Sequence, residues 1–254
     1  MFPYKDDNPT ELAPLVTVGI IIANVLAWLF LQGMGSPALL ARSVCDLGLV
    51  PGELLQTAKP GSGLELAPGL FCLVDLQPHY STLITSMFMH GGWLHLIGNM
   101  MFLWVFGNNI EDVMGHGRFI VFYLVCGLAA AGGQMLVGPN SIVPMVGASG
   151  AISGVLGAYL LLYPRVRVHT LLFLGFYVTT IALPAYVMLG YWIVLQLLGG
   201  VASLSGIEGG GTAFFAHIGG FVAGLVLIRF FASEDALRRR PEPPSAYYHY
   251  RSVG

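Results

Sequence analysis

The sequence predicts an all-α polytopic membrane protein, a bundle of six transmembrane helices with a long external first loop, and three observations support this. Of the 254 residues, 56% are hydrophobic and only 9% are charged, whereas a soluble domain carries about 25% charged residues. The apolar residues fall in six runs, each close to the roughly 20 residues a helix needs to cross a bilayer. Threading the chain through those runs puts most of the Lys and Arg on one side, the bias that orients membrane proteins.

The elements follow in order. Residues 1–14 form a short cytoplasmic segment. Its Lys5, Asp6, Asp7 and Glu11 are not those of a cleavable signal peptide, and the apolar run that follows is long enough to span. The first span is expected over 15–33. The connection 34–91 is too long to be structureless in a compact domain, and its amphipathic patches predict interfacial helices. Further spans are expected over 92–110, 118–137, 147–163, 184–201 and 212–232, so that 15–232 is one membrane domain. Residues 168–183 are apolar and rich in Thr, Val and Phe; they read either as an interfacial segment or as the start of an extended fifth span. The tail, 233–254, is Arg-rich and then Pro-rich, and reads as a mobile cytoplasmic end.

An inside amino terminus puts Lys5, Arg118, Arg165, Arg167, Arg229, Arg238, Arg239, Arg240 and Arg251 on the cytoplasmic side and leaves Arg42 and Lys59 outside. The expected location is a bacterial inner membrane with both termini cytoplasmic. This topology, set by charge alone, also places His95, Ser149 and His217 near the outer ends of the second, fourth and sixth spans. The net charge of −2 suggests no nucleic-acid partner.

Polar side chains in a membrane are costly, so each one calls for a reason. Ser149 lies in Gly147-Ala148-Ser149-Gly150 and is the candidate nucleophile. By itself, a membrane serine often bonds a backbone carbonyl one turn back or packs a helix interface. Gly147 removes bulk beside the hydroxyl, and a helix starting near Ser149 would aim free N–H groups at a substrate carbonyl. Gly150 and Gly154, and likewise Gly220 and Gly224 below His217, are spaced for close helix approach. His217, in Ala216-His217-Ile218-Gly219-Gly220, is the candidate base; the plain alternative is an interhelical hydrogen bond. His95 and Asn99, four apart on one helix face, are candidate oxyanion donors or simply an interhelical pair.

Other chemistries lack their parts. His90 and His95 are five apart and no HExxH occurs, which argues against a metal site. An aspartyl mechanism needs two embedded acids, whereas Glu111 and Asp112 sit at a helix end and read as anchors. No cofactor is expected. Cys126 reads as a packing residue, and Cys45 and Cys72 could pair if the external side is oxidising.

With those residues in view, the chain resembles a rhomboid intramembrane serine protease from about residue 15 to 232. GASG around Ser149 resembles the family's GxSG, Gly147 matching its first glycine. AHIGGFVAG around His217 resembles AHxxGxxxG, and His95 with Asn99 fits the HxxxN pair. The resemblance implies a Ser149–His217 dyad with no third acid, an oxyanion site from His95, Asn99 and the Ser149 amide, and a hydrated cavity open to the outside. It also implies substrate entry past the fifth span and the loop Ser203–Thr212. Ser81-Thr82 stands where many members have Trp-Arg, so that loop would be anchored differently. Ser153 stands where some members stack an aromatic on the base, so the orientation of His217 would depend on other contacts. The expected function is cleavage of single-span membrane proteins near the outer face. The alternatives are a catalytically inactive, client-binding rhomboid-like protein and a transporter; spans without embedded charges disfavour the latter.

Overall fold

The computed structural model describes residues 2–174, 177–204, 212–233 and 235. The chain opens with strand β1 (Phe2–Asp6), then α1 (Leu15–Leu26), which runs on through a π turn over Ala27–Leu31. The connection holds α2 (Pro37–Leu47), α3 (Pro51–Leu54), a hairpin of β2 (Gly63–Ala67) and β3 (Leu70–Leu73), and α4 (Thr82–Thr85). Next come α5 (Trp93–Phe102), a π turn over Leu103–Gly107, α6 (Asn108–Met114), α7 (His116–Val137) and α8 (Ser149–Leu162). A second hairpin, β4 (Arg167–Leu174) and β5 (Tyr177–Pro184), precedes α9 (Ala185–Leu204) and α10 (Phe214–Phe231).

Helix therefore forms on each of the six apolar runs. Among the described residues, α7, α9 and α10 are long and apolar enough to cross a membrane, while Leu15–Leu31 and α8 are apolar but shorter.

The all-α expectation needs correction, because the described residues include two small sheets. Residues 168–183 do not extend the fifth span, which begins as helix at Ala185. They are the antiparallel pair β4–β5, in register from Arg167–Pro184 to Leu174–Tyr177. Val168, Thr170, Val178, Thr179, Thr180 and Ile181 are β-branched, which favours a pleated surface over a helix, and a short apolar run does not reveal its period. β1 adds to β4 antiparallel, so the first residues are tied to the segment before α9. In the connection, α2 meets the expectation of helix, whereas the β2–β3 hairpin is an addition. Cys45 of α2 and Cys72 of β3 are disulfide-bonded. The connection folds back on the bundle through a bridge between Leu49 and Met145 and through Thr57 Oγ1, which donates to the Pro139 carbonyl at 2.5 Å.

At the centre stands α8, buried from Gly150 to Tyr159 and packed on α7 and α10. Lipid is as apolar as leucine, so contact between membrane helices depends on close backbone approach. Gly220 lies over the Gly150 carbonyl and Gly224 over the Gly154 carbonyl, so a methyl group at either glycine would collide with backbone. Gly154 also seats Cys126 of α7, a free, buried thiol used in packing. Phe106, Phe119, Phe122, Val155, Ala158 and Tyr159 fill the rest of the core with no exposure.

The end of the bundle near β1 is tied by carboxylates. Glu111, fully buried, accepts from the Val16 and Thr17 N–H groups at 2.8 Å each and from His116 Nδ1 at 2.6 Å. Asp112 accepts from the N–H groups of Glu11 and Leu12. The expected anchoring role holds, with one refinement: Glu111 caps the start of α1, where free N–H groups and the helix dipole attract negative charge, and Asp112 holds the segment leading into it.

Candidate active site

The start of α8 sets up the site. Gly147 has φ +128°, a conformation glycine adopts without penalty, and Ala148 then turns into the helix. Ser149 is the first helical residue, so the N–H groups of Ser149, Gly150 and Ala151 have no acceptor within the helix. Ser149 Oγ points away from its own helix and lies 2.7 Å from His217 Nε2 of α10. One turn on, Ser153 behaves as a membrane serine ordinarily does, its hydroxyl donating to the Ser149 carbonyl at 2.6 Å.

His217 sits in the first turn of α10. Its Nδ1 is 2.7 Å from Gln196 Oε1, and the Trp192 ring lies beside it at 5.8 Å between centroids and 39° between planes. Both residues belong to α9. An amide oxygen only accepts, so the imidazole Nδ1–H is the donor and Nε2 presents its lone pair to Ser149 O–H. Gln134 of α7 accepts from the Ala216 N–H at 3.3 Å and helps fix the start of α10.

His95, in the first turn of α5, has the opposite tautomer. The Gly91 N–H donates to its Nδ1 at 3.3 Å, leaving the proton on Nε2. A methyl group at Gly147 would lie 2.8 Å from His95 Nε2 and 3.4 Å from Ser149 Oγ. Gly147 thus clears space against His95 even more than against the serine. Asn99, one turn further along α5 and 7% exposed, has an amide nitrogen with no partner among the described residues. Such an unpaired buried donor calls for an explanation. His90 packs edge-on against His95 at 5.1 Å; burial, with His95 nearby, holds it down to about 3, so it is a neutral packing ring.

His95, Asn99, Ser149, His217 and Trp192 line a cavity of about 1160 Å³ between the starts of α5, α8 and α10 and the far end of α9. Its described lining includes no Asp, Glu, Lys or Arg. A nucleophile, a base whose lone pair faces it and two donors converge on one neutral space, an arrangement suited to acyl transfer. Outside it, Glu53, Asp75 and His79 gather ligand-type atoms within 4.8 Å. Glu53 accepts from the Asp75 N–H at 3.0 Å and meets His79 Nδ1 at 3.1 Å.

All five expected site residues, Gly147, Ser149, His217, His95 and Asn99, lie together. Sequence reasoning missed Gln196 and Trp192. The available signal was Gln196 itself, the lone amide in the fifth apolar run. The first loop, lacking Trp-Arg, is held by Thr82 Oγ1 to the His79 carbonyl at 2.6 Å and Thr85 Oγ1 to the Leu47 carbonyl at 2.9 Å. Of the expected loop Ser203–Thr212, Ser203 belongs to α9, while 205–211, including Gly209-Gly210-Gly211, lie outside the described residues, as does most of the tail after 233.

Comparison with known proteins matches residues 77–234 to the family described as Rhomboid domain. The chain is 33% identical over 140 residues to Rhomboid protease GluP of Bacillus subtilis, covering 55% of this chain and 26% of that protein. It is 30% identical over 159 residues to Rhomboid-like protein 11, chloroplastic, of Arabidopsis thaliana, covering 59% and 52%. With Rhomboid protein 1, mitochondrial, of Saccharomyces cerevisiae it shares 29% over 174 residues, covering 65% and 46%. The chain spans about half or less of the length of each of these relatives.

Proposed function

We propose, from the premise that this chain belongs to the rhomboid family and is a multi-pass membrane protein, that it is an intramembrane serine endopeptidase acting through Ser149 and His217. The observation that carries this reading is the 2.7 Å contact between Ser149 Oγ and His217 Nε2, made by a serine that forgoes the backbone bond its neighbour Ser153 makes.

Ser149 Oγ attacks the scissile carbonyl as its proton passes to His217 Nε2. The developing oxyanion takes hydrogen bonds from the Ser149 N–H, His95 Nε2–H and Asn99 Nδ2. Collapse breaks the C–N bond, and His217 delivers its proton to the leaving amine. Water entering the cavity then gives a proton to the same nitrogen and attacks the acyl-enzyme, which releases the carboxylate product and restores Ser149. The substrates are single-span membrane proteins. Their helices must open locally to offer a peptide bond, so small or helix-weakening residues near the cut are favoured.

In this reading, 15–232 is a six-span membrane domain with both termini on the cytoplasmic face of a bacterial inner membrane. The cavity and the Cys45–Cys72 bond then lie outside, where disulfides persist. The strand 2–6 and the β4–β5 hairpin share one sheet and so must share a face, which supports the inside assignment of the amino-terminal segment 1–14. A carboxy-terminal tag on residues 233–254 should be reached by protease only after permeabilisation.

The test of activity is cleavage of a single-span reporter in detergent and in liposomes by wild type, Ser149→Ala and His217→Ala, with fluorophosphonate labelling in parallel. Wild type should cleave and label, and both variants should do neither. Cleavage persisting in Ser149→Ala would overturn the assignment. Reporter capture without cleavage by wild type would favour the inactive, client-binding reading.

A further inference from the structure

We propose that Gln196 is a positioning residue for the reaction, holding His217 in the one neutral tautomer that can deprotonate Ser149. The inference rests on the Ser149–His217 reading above and assigns α9 a part in it.

A neutral imidazole is a base at one nitrogen only, the one without the proton. For Ser149 the useful form carries its proton on Nδ1. Nothing on α8 enforces that form: the residue one turn below Ser149 is Ser153, and its hydroxyl is committed to the Ser149 carbonyl. The bond to Nδ1 comes from Gln196 Oε1 at 2.7 Å. A glutamine can offer either end of its amide, and the wrong end would donate to Nδ1 and force the proton onto Nε2. The backbone resolves the choice. Gln196 Nε2 donates to the Trp192 carbonyl one turn earlier, at 3.3 Å, so the amide is oriented with its oxygen towards the histidine. Trp192 also lies beside the imidazole, so one turn of α9 supplies both the edge and the flank of the base.

A purely structural account does not explain this glutamine. Its amide nitrogen is satisfied within α9, but its oxygen needs a second element, and an apolar residue there would avoid burying an amide. At 9% exposure, its oxygen serves His217. The task is the one the buried acid performs in a Ser-His-Asp triad, orienting the imidazole, done here by a neutral group and without carboxylate charge beside the cavity.

Two variants and one spectroscopic measurement test this. Gln196→Met keeps the unbranched shape and removes the acceptor, whereas Gln196→Glu keeps an acceptor oxygen. On the single-span reporter, Gln196→Met should lower kcat by about 10- to 100-fold with KM within about 2-fold, short of the roughly 10⁴-fold of an imidazole locked in the wrong tautomer. Gln196→Glu should recover kcat to within about 3-fold of wild type. In ¹⁵N-histidine-labelled protein, the His217 signals, identified by their loss in His217→Ala, should show protonated Nδ1 in wild type and a mixture in Gln196→Met. An unchanged kcat in Gln196→Met, a Glu variant no better than the Met variant, or a wild-type His217 protonated on Nε2 would each overturn the proposal. Wild type that neither cleaves nor labels would sink the protease reading instead, and the tautomer measurement would still judge Gln196. Should Gln196→Met fail to fold, the Glu variant and the wild-type spectrum decide.

Discussion

At the end of the bundle near β1, Glu111 takes up two backbone N–H groups and a histidine, and Asp6 accepts from Tyr159 Oη at 2.5 Å and Asn109 Nδ2 at 2.9 Å. At the opposite end, around the cavity, no carboxylate is present among the described lining, and the amide nitrogen of Asn99 has no partner there. Each end holds a histidine by Nδ1, His116 against an acid at 2.6 Å and His217 against an amide at 2.7 Å. What differs is the second nitrogen and its surroundings. A buried polar group whose capacity is used up by the fold's own groups holds the fold together, whereas one that turns its lone pair to a nucleophile or keeps an unpaired donor beside a cavity is placed for chemistry.

The sharpest way to break that comparison is within α8. Ser149→Ala should lower kcat by on the order of 10⁴- to 10⁶-fold and leave thermal unfolding in detergent nearly unchanged. Ser153→Ala, one turn away, should lose less than about 10-fold, since its hydroxyl serves only the backbone. Equal losses would mean the two serines are not divided between fold and chemistry. The mirror experiment lies at the other end. Glu111→Ala leaves the Val16 and Thr17 N–H groups without their acceptor and should lower stability by about 2–4 kcal/mol, while cleavage per folded molecule stays within a few-fold. A kcat defect without a stability defect would place Glu111 on the wrong side of the comparison.

Asn99→Ala tests the open donor. Loss of one oxyanion contact should lower kcat by about 10²- to 10³-fold, or roughly 2.7–4 kcal/mol of transition-state stabilisation. Stability should hold or rise slightly, because a buried amide nitrogen without a partner among the described residues is removed. A large drop in melting temperature would recast Asn99 as a structural residue.

Sequence alone conveyed much of this division, and physics explains where it stopped. The six apolar runs, the glycine faces at Gly150, Gly154, Gly220 and Gly224, and the histidine and serine above them are local patterns, legible because helix spacing puts each set on one face. Glu111 and Asp112 read correctly as anchors, but the N–H groups they anchor lie 94 to 101 residues away, and no local pattern reports that. The β4–β5 hairpin was ambiguous because a short apolar stretch of β-branched residues fits a buried strand and a membrane segment alike. Gln196 was visible as an oddity in the fifth run. Its meaning depends on the rotation of α9 against α10, which is set by three-dimensional packing and not by the residues around it.

The smallest effect expected in this comparison is a pH dependence at the carboxylate end. Burial is the main cause that raises Asp6 to about 6, outweighing the hydrogen bond from Tyr159 that would lower it. The unfolded chain ionises near the ordinary 3.8. Between those values the folded state binds more protons than the unfolded one, so stability is greatest below about pH 4, falls as pH rises towards 6, and levels off above. The fall is at most about 3 kcal/mol, because Asp6 keeps some contact with solvent. Asp6→Asn keeps an oxygen for Tyr159 without the charge, so its unfolding midpoint should be flat across this range and above wild type at pH 7, with kcat unchanged. A slope that survives the substitution would assign the titration to another group. A change in kcat would mean that the two ends of the bundle are coupled, and that polar groups at one end influence the chemistry at the other.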